Sequence, residues 1–474
     1  MSNEYKMLIN GEWLSDTSTI DVVNPLNNDL LGTVPKATQS DVNAAIESAR
    51  RAFPVMSSLP AHQRSKILET TSQLLEKHAE ELAELIASEA GKAWKYAIGE
   101  VGRAVQTFKF AAEEAKQIHG ETVPMDAGAG SENRMGFYLR FPIGVIGAIT
   151  PFNFPLNLVA HKVAPALAAG NSVVLKPATA TPLTALRLGE LLMQAGLPAG
   201  ALNIIMGGGA TVGDWLVTDP RVAMISFTGS PPVGKYIISR GGLKKYTMEL
   251  GSNSAVIICE DANIEKAVPR CIVGAFANSG QVCISVQRIY VHQRKFEAFL
   301  TQFLAATQQQ VVGDAVQKNC DVGPLINEHE AERVEDWIKE AVAAGAEVLT
   351  GGTRSGTLFQ PTVLTRVKAE MKVMRDEIFG PVVSIIPYEN FEEVLNWVDD
   401  SKYGLQAGIY TNDLNRAFAA VKKIDVGGII INDVPTYRVD HMPYGGNKES
   451  GIGREGLKYA IEEMTNIRMV VLNL

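Results

Sequence analysis

At 474 residues, 46% hydrophobic and 20% charged, the chain has the length of two or three globular domains. Its 44 basic and 52 acidic residues leave a formal charge of −8, which gives no electrostatic footprint for nucleic acid. Four cysteines, Cys259, Cys271, Cys283 and Cys320, form no CxxC pair and the seven histidines form no HExxH, so neither a metal site nor a disulfide framework is expected and a reducing compartment fits.

The opening "MSNEYKMLINGEW" carries charges and no apolar core of a signal peptide. Residues 41–118 read as mostly helical. "DVNAAIESARRAF" opens on a Ser40/Asp41 cap signal. "RSKILETTSQLLEKHAEELAELIASEAGK" repeats apolar positions at three and four and stops at Gly91. "RMGFYLRF", 134–141, alternates Met135, Phe137, Leu139 and Phe141 with other residues, the pattern of a two-faced strand. The uncharged stretch Phe141–Ala160 is broken by Pro142, Pro151, Pro155, Asn153 and Asn157, and would span a membrane poorly. The chain therefore reads as cytoplasmic and soluble, with no membrane partner.

From 172 short strands alternate with helices. "SVVLK" is a buried strand. "TPLTALRLGELLMQAGLP" is a helix with Thr181 as its cap, Pro182 at its first position and Gly196 at its end. "NIIMG", "VAMISF" and "KKYTMEL" are further strands, and "TVGDWLVTD" and "PPVGKYIISRG" helices. This alternation predicts βαβ units and a parallel sheet. A second α/β run starts near 254 with "SAVIIC", a helix over 264–277 and "RIYVH", and continues to "GGIIIN". The seam is placed at Gly251. The chain ends in the apolar strand "NIRMVVLNL", an edge that invites pairing with another chain, so an oligomer is expected.

Four stretches carry side chains that plain scaffold does not need. "ITPFNFPLNLVAHK", 149–162, sets two prolines and two asparagines in an apolar run; an asparagine amide there can donate to an oxyanion, and the stretch equally fits a Pro/Asn turn. "SFTGSPPVGK", 226–235, is a strand, a Gly/Ser turn and a helix start, whose backbone N–H groups favour phosphate or simply form a βα turn. "TMELGSNS" puts Glu249 at the end of an apolar strand, where a carboxylate is costly to desolvate and suits a general base, though a surface glutamate has the same sequence. In "NSGQVCISVQR" Cys283 follows Gly280, which lets the backbone approach a ligand; a buried structural cysteine is the other reading.

In this order PFNFP, FTGS, ELG and GQVC resemble the aldehyde dehydrogenase superfamily. "LKPAT" at 175–179, "EIFGPV" at 377–382 and "PYGGNKESGIGREG" at 443–456 extend the likeness essentially from end to end. The resemblance implies an α/β aldehyde dehydrogenase fold: a Rossmann-like parallel-sheet cofactor domain from 1–119 and 142–250, an α/β catalytic domain over 251–450, and a small β oligomerisation element from 120–141 and 455–474. It implies oxidation of a small-molecule aldehyde to the acid through a cysteine thiohemiacetal and thioester. Cys283 would be the nucleophile, Asn153 would hold the oxyanion and Glu249 would activate water, with Lys162 and Glu455 as a possible proton relay. NAD or NADP would be held by Lys176, Thr228, Gly229, Ser230, Glu377 and Phe379. Many NAD-preferring relatives carry a glutamate where this chain has Thr179, so both cofactors are expected to serve.

By the same likeness, Arg103, His161 and Arg438 would face the substrate. They suit a small anionic or hydroxylated aldehyde, of the 3-sulfolactaldehyde, phosphonoacetaldehyde or lactaldehyde type. Val282 stands where relatives that take phosphorylated aldehydes often have arginine. Aromatic or general aliphatic aldehydes, a coenzyme A-acylating reaction and a non-enzymatic relative are the alternatives. A homodimer or homotetramer is implied.

Overall fold

The short apolar runs between 145 and 249 form five parallel strands: Val145–Ile149, Ser172–Lys176, Leu202–Ile204, Val222–Thr228 and Lys245–Glu249. Being nearly wholly buried, they need no polar alternation. The computed structural model describes residues 3–474. In it these five make the middle of an eight-stranded sheet. Short antiparallel strands close its edges, Met7–Ile9 with Glu12–Leu14 on one side and Gly451–Ile452 on the other. Val145–Ile149 lies between Ser172–Lys176 and Val222–Thr228. The winding reverses there, and in such sheets ligands bind outside the carboxyl ends at the reversal. Those ends are Ile149, Lys176, Thr228 and Glu249.

The chain leaves this sheet at Glu249 and enters a second at Ala255, so Gly251 lies on the link between them. The second sheet has seven strands in the order Glu347–Thr350, Thr362–Thr365, Val382–Tyr388, Arg288–His292, Ala255–Ile258, Gln406–Tyr410 and Gly428–Ile431. All neighbours are parallel except the first pair. A third sheet pairs Thr465–Asn473 antiparallel with the whole of Arg134–Pro142, with Thr122–Val123 beyond. Met135 and Leu139, read from the sequence as part of an apolar face, are exposed, as are Ile467, Met469 and Val471. Among the described residues no helix is long and apolar enough to cross a membrane, and no group of His, Cys, Asp and Glu could hold a metal ion.

Four local readings are corrected. The Gln39–Ser58 helix is capped by Thr38, not Ser40; Asp41 sits at the third position and closes a capping box. The expected single helix to Gly91 is two, Ala61–Lys77 and Ala79–Ala90, because His78 leaves the helical region at φ −103, ψ 22. The stretch 211–219 begins inside a wider turn, Gly209–Gly213, before Asp214–Thr218 is α-helical. Thr181 does not cap the Leu183–Gln194 helix. Buried Glu89, distant in sequence, accepts from the backbone N–H groups of Leu183 (2.8 Å) and Thr184 (3.0 Å) instead. No local sequence pattern signals a cap delivered from another helix.

Burial pushes the Glu89 carboxyl up to about 7, against the hydrogen bonds from Thr184 and Leu183. Glu89→Ala leaves two buried helix N–H groups without an acceptor and should destabilise the fold by about 2 kcal/mol. A thermal melt should show the midpoint falling by several degrees; an unchanged midpoint would contradict the cap.

Candidate active site

Cys283 follows three residues in left-handed backbone: Asn278, Ser279 and Gly280, at φ 51, 57 and 70. Side-chain residues adopt this region only when their surroundings over-determine it. Here Ser279 Oγ donates to Gly323 O (2.8 Å), and Asn278 Nδ2 donates to the carbonyls of Asn153 (3.2 Å) and Gln281 (3.2 Å). At Gly280 a Cβ would stand 2.0 Å from Gly380 O. The turn thus has one chain path, and it delivers Cys283 into an apolar cluster of Val282, Ile284, Leu405 and Tyr444, with Phe154 and Met442 beside it. Cys283 Sγ lies 3.1 Å from Tyr444 Oη. Burial pushes the thiol up to about 11, with Glu377 and Glu249 adding to the rise; the Tyr444 hydrogen bond and the Arg438 charge act the other way.

Asn153 reaches the same turn from the other sheet. Its Nδ2 donates to Gln281 O (2.8 Å), two residues before the cysteine, and its Oδ1 is buried without a partner. The Asn157–Ala168 helix that follows is fixed from below. Glu100 Oε1 accepts from Leu156 N (2.9 Å) and Asn157 N (3.0 Å), while its other oxygen pairs with buried Lys92. The Lys92 ammonium lies 3.5 Å from the centre of the Phe154 ring.

Glu249 ends its strand buried, with neither carboxylate oxygen bonded. Burial holds its carboxyl well above the usual range, helped by the negative charge of Glu455 and opposed by Arg438, Lys162 and Arg454. Glu455 is the counterpart. Burial alone would raise it too, but Lys162 Nζ grips one oxygen (3.2 Å) and Arg438 Nη2 the other (2.9 Å), and together they hold it down to about 2. Two buried carboxyls are thus driven apart by their neighbours, the arrangement that separates acid and base roles.

Arg438 is 5% exposed at its side chain. Its guanidinium lies 3.7 Å over the Tyr444 ring, also approaches His161 Nε2 (3.2 Å), and keeps a buried Nε without a partner. His161 is buried, and burial followed by the Arg438 charge pulls its pKa down, against the hydrogen bond and charge of Asp440. Its Nε2 meets Asp440 Oδ1 at 2.8 Å. Asp440 also accepts from Arg103 (2.7 and 3.2 Å) and Asn157 Nδ2 (3.0 Å). Against burial, His161 and Arg103 hold Asp440 far below the usual carboxylate range. Arg103 and Arg438 thus each already face a carboxylate, Asp440 and Glu455.

The remaining candidates line the carboxyl ends of the eight-stranded sheet and its junction with the second. Thr228 Oγ1 is buried and unpartnered. Gly229 follows, where a Cβ would strike the Phe227 ring at 2.4 Å. Exposed Ser230 precedes the Pro231–Gly241 helix without capping it; Pro231 and Pro232 carry no N–H and Gly234 N donates to Ser230 O (3.0 Å), so the first turn leaves only the Val233 N–H for an anion, fewer than the sequence suggests. Lys176 is buried; burial pulls its ammonium down to about 8, and it donates to Pro177 O (2.9 Å) and Gly207 O (3.2 Å). Thr179 is exposed, with Oγ1 on Gly207 O at 3.1 Å. Between Lys176, Phe227 and the helix residues Pro232, Val233 and Tyr236 lies an apolar slot of about 370 Å³. Glu377 accepts from Ser252 N (3.0 Å), and burial pushes it up to about 7. Phe379, at φ 46, meets Phe152 edge-on at 5.9 Å. An apolar slot, the orphaned Thr228 hydroxyl, the Lys176 ammonium and the Glu377 carboxylate further along suit a nucleotide with a second ribose.

Sequence reasoning missed Tyr444, Asp440, Asn157, Glu100 and Lys92. Tyr444 stood in the quoted "PYGG", and Asp440 two residues beyond Arg438. Tyr444 and Asp440 act on residues more than a hundred away, and Glu100 and Lys92 on a segment more than fifty away, which spacing does not reveal.

The model of the Aldehyde dehydrogenase family matches residues 13–470. The chain is 50% identical over 471 residues to the 3-sulfolactaldehyde dehydrogenase of Priestia aryabhattai, covering 99% of this chain and 98% of that one. Aldehyde dehydrogenase 21 from Physcomitrella patens, solved with the reaction product succinate, superposes with a TM-score of 0.98 at 42% identity, over 100% and 99% of the two chains. The NADP-dependent glyceraldehyde-3-phosphate dehydrogenase from Bacillus halodurans C-125, complexed with NADP, gives 0.97 at 36% identity over 100% of each.

Gly280→Ala forces a side chain into the Gly380 carbonyl and should displace Cys283. A shift of that kind lowers turnover by about a hundredfold. Steady-state kinetics would check it, and full turnover in the variant would contradict the steric account.

Proposed function

The chain belongs to the aldehyde dehydrogenase family, and on that premise we propose that it oxidises a small anionic aldehyde to its carboxylic acid, with Cys283 as nucleophile and Glu249 as the base that activates water. The fold is that of the family, and the enzyme is an NAD(P)-dependent oxidoreductase. The observation that carries the reading is Glu249, buried, unbonded at both oxygens and close enough for its charge to act on Cys283.

The Cys283 thiolate attacks the aldehyde carbon, and charge develops on the carbonyl oxygen. The Asn153 amide and the Cys283 backbone N–H are the donors for that oxygen; losing one such donor typically lowers turnover by about 10²–10³. Lys176, Thr228, Gly229, Ser230, Glu377 and Phe379 would hold the dinucleotide. When bound, NAD or NADP supplies the acceptor for the electron pair removed from the substrate. Glu249 then takes a proton from water, whose oxygen joins the acyl carbon as the cysteine thiolate leaves. A raised carboxyl is a strong proton acceptor once ionised. Lys162 and Glu455 offer the onward path for that proton. Coenzyme A-acylating relatives usually lack this glutamate, so its presence supports hydrolysis.

The anionic substrate rests on Arg103 and Arg438, on the unpaired Arg438 Nε and on the relative that shares half of the sequence. Since Asp440 and Glu455 already face these arginines, the head group shares them with the carboxylates. Thr179, where many NAD-preferring relatives carry glutamate, supports use of both cofactors. The exposed apolar residues of Thr465–Asn473, and of the edge strand Gly428–Ile431, support a homodimer or homotetramer. Four unpaired cysteines fit the cytoplasm.

Four measurements test these points. Glu249→Gln should release a burst of reduced cofactor and stall as a thioester, whereas Cys283→Ala gives no burst; a normal steady state from Glu249→Gln would remove it as the base. In the parent enzyme the hydrolytic step should accelerate as pH rises above the usual carboxylate range, because Glu249 must lose its proton first. The kcat/KM values for NAD and NADP should differ by less than about a thousandfold, roughly 4 kcal/mol; a larger ratio would overturn dual use. Arg438→Ala should lower kcat/KM for a sulfonated aldehyde at least about tenfold more than for lactaldehyde. An equal loss for both would assign Arg438 to Glu455 alone.

A further inference from the structure

Tyr444 enters the site from the segment after Arg438, and its hydroxyl has one hydrogen-bond partner, the sulfur of Cys283 at 3.1 Å. The other members of the apolar cluster that holds Cys283, Val282, Ile284, Leu405, Phe154 and Met442, carry no O–H or N–H on their side chains, and Tyr444 is the one side-chain hydrogen-bond partner of the sulfur among the described residues. A thiolate in such a cradle lacks the water that would otherwise solvate it. The Tyr444 ring is covered on one face by the Arg438 guanidinium at 3.7 Å. A cation over the π face draws charge from the ring and strengthens its O–H as a donor.

We infer that Tyr444 is a further catalytic residue of this enzyme, whose hydroxyl donates a hydrogen bond to the Cys283 thiolate before attack and again when that thiolate leaves. The inference rests on Cys283 being the nucleophile. The phenol keeps its proton throughout. On attack the C–S bond forms, negative charge passes from sulfur to the carbonyl oxygen, and the hydrogen bond from Tyr444 weakens. On hydrolysis the oxygen of water bonds to the acyl carbon, its proton goes to Glu249, the C–S bond breaks, and the electron pair returns to sulfur in front of the Tyr444 hydroxyl. The same donor therefore favours the ionised nucleophile in the first half-reaction and the leaving group in the second. The other charged groups acting on the sulfur are Arg438, Glu377 and Glu249, and none of them is altered by removing one phenolic oxygen.

The test is the pH dependence of Cys283 alkylation by iodoacetamide in the full-length enzyme, followed by mass spectrometry of the Cys283 peptide. Tyr444→Phe should raise the midpoint by about one pH unit, a tenfold smaller thiolate fraction below it. Its kcat/KM should fall about tenfold at neutral pH and recover as pH rises, as a shifted ionisation requires. A packing role alone would lower activity at every pH and leave the midpoint in place, which would overturn the proposal. Where Tyr444→Phe fails to melt cooperatively, the parent sequence made with 3-fluorotyrosine serves. The more acidic phenol is a stronger donor and should lower the midpoint, and an unmoved midpoint again overturns it. Cys283→Ala separates the two ideas: retained turnover there removes the nucleophile itself, whereas its loss alongside an unmoved Tyr444→Phe midpoint removes only the role of Tyr444.

Discussion

Glu455 stays ionised inside the protein because Lys162 and Arg438 hold one of its oxygens each. Isolated in that position a carboxylate would take up a proton, since the desolvation of a lone charge is not recovered. Held as an anion, it acts on its surroundings. Burial already raises Glu249, whose own oxygens are bonded to nothing; Glu455 raises it further, and it anchors the guanidinium that covers Tyr444. Glu249, the proposed base, and Arg438, which covers Tyr444 beside the proposed nucleophile, thus both depend on one fixed negative charge. Around Cys283 the charges of Lys162, Arg438, Arg103, Asp440 and Glu455 each have an opposite charge within hydrogen-bond reach, whereas Glu249 has none.

The fold supplies the meeting point. Parallel strands deliver Ile149, Lys176, Thr228 and Glu249 to one end of a sheet, at the place where the winding reverses. The second sheet brings the left-handed turn before Cys283 against that end, and Asn153 bonds across to Gln281. Two buried glutamates finish the work from below. Glu89 and Glu100 cap helices that begin after the strands ending at Lys176 and Ile149, so the loops between strand and helix keep one conformation. In the proposed reaction such rigidity matters because the oxyanion donor and the nucleophile come from different sheets.

Much of this was legible in the sequence, for identifiable reasons. The strands from 145 to 249 are short, apolar and punctuated by glycine and proline, which is how buried parallel strands read. Asn153, Glu249 and Cys283 were visible because each is a polar or reactive residue in an apolar or small-residue setting. Four features were not legible. Glu89 caps a helix about ninety residues away, so Thr181 was chosen in its place. His78 breaks a helix without glycine or proline. Arg103 and Arg438 looked like free cations for a substrate, because nothing local announces that Asp440 and Glu455 face them. Tyr444 was overlooked because a tyrosine in a glycine-rich motif reads as packing until its hydroxyl is seen on sulfur.

The most direct test of the central claim is the pH dependence of thioester hydrolysis in Glu455→Gln, measured on acyl-enzyme formed in a single turnover. If the charge on Glu455 adds to burial in lifting Glu249, removing it while Lys162 and Arg438 remain must move the midpoint for hydrolysis to lower pH. A midpoint that stays where it is, or rises, would show that Glu249 does not feel that charge, and the account of the site would fail.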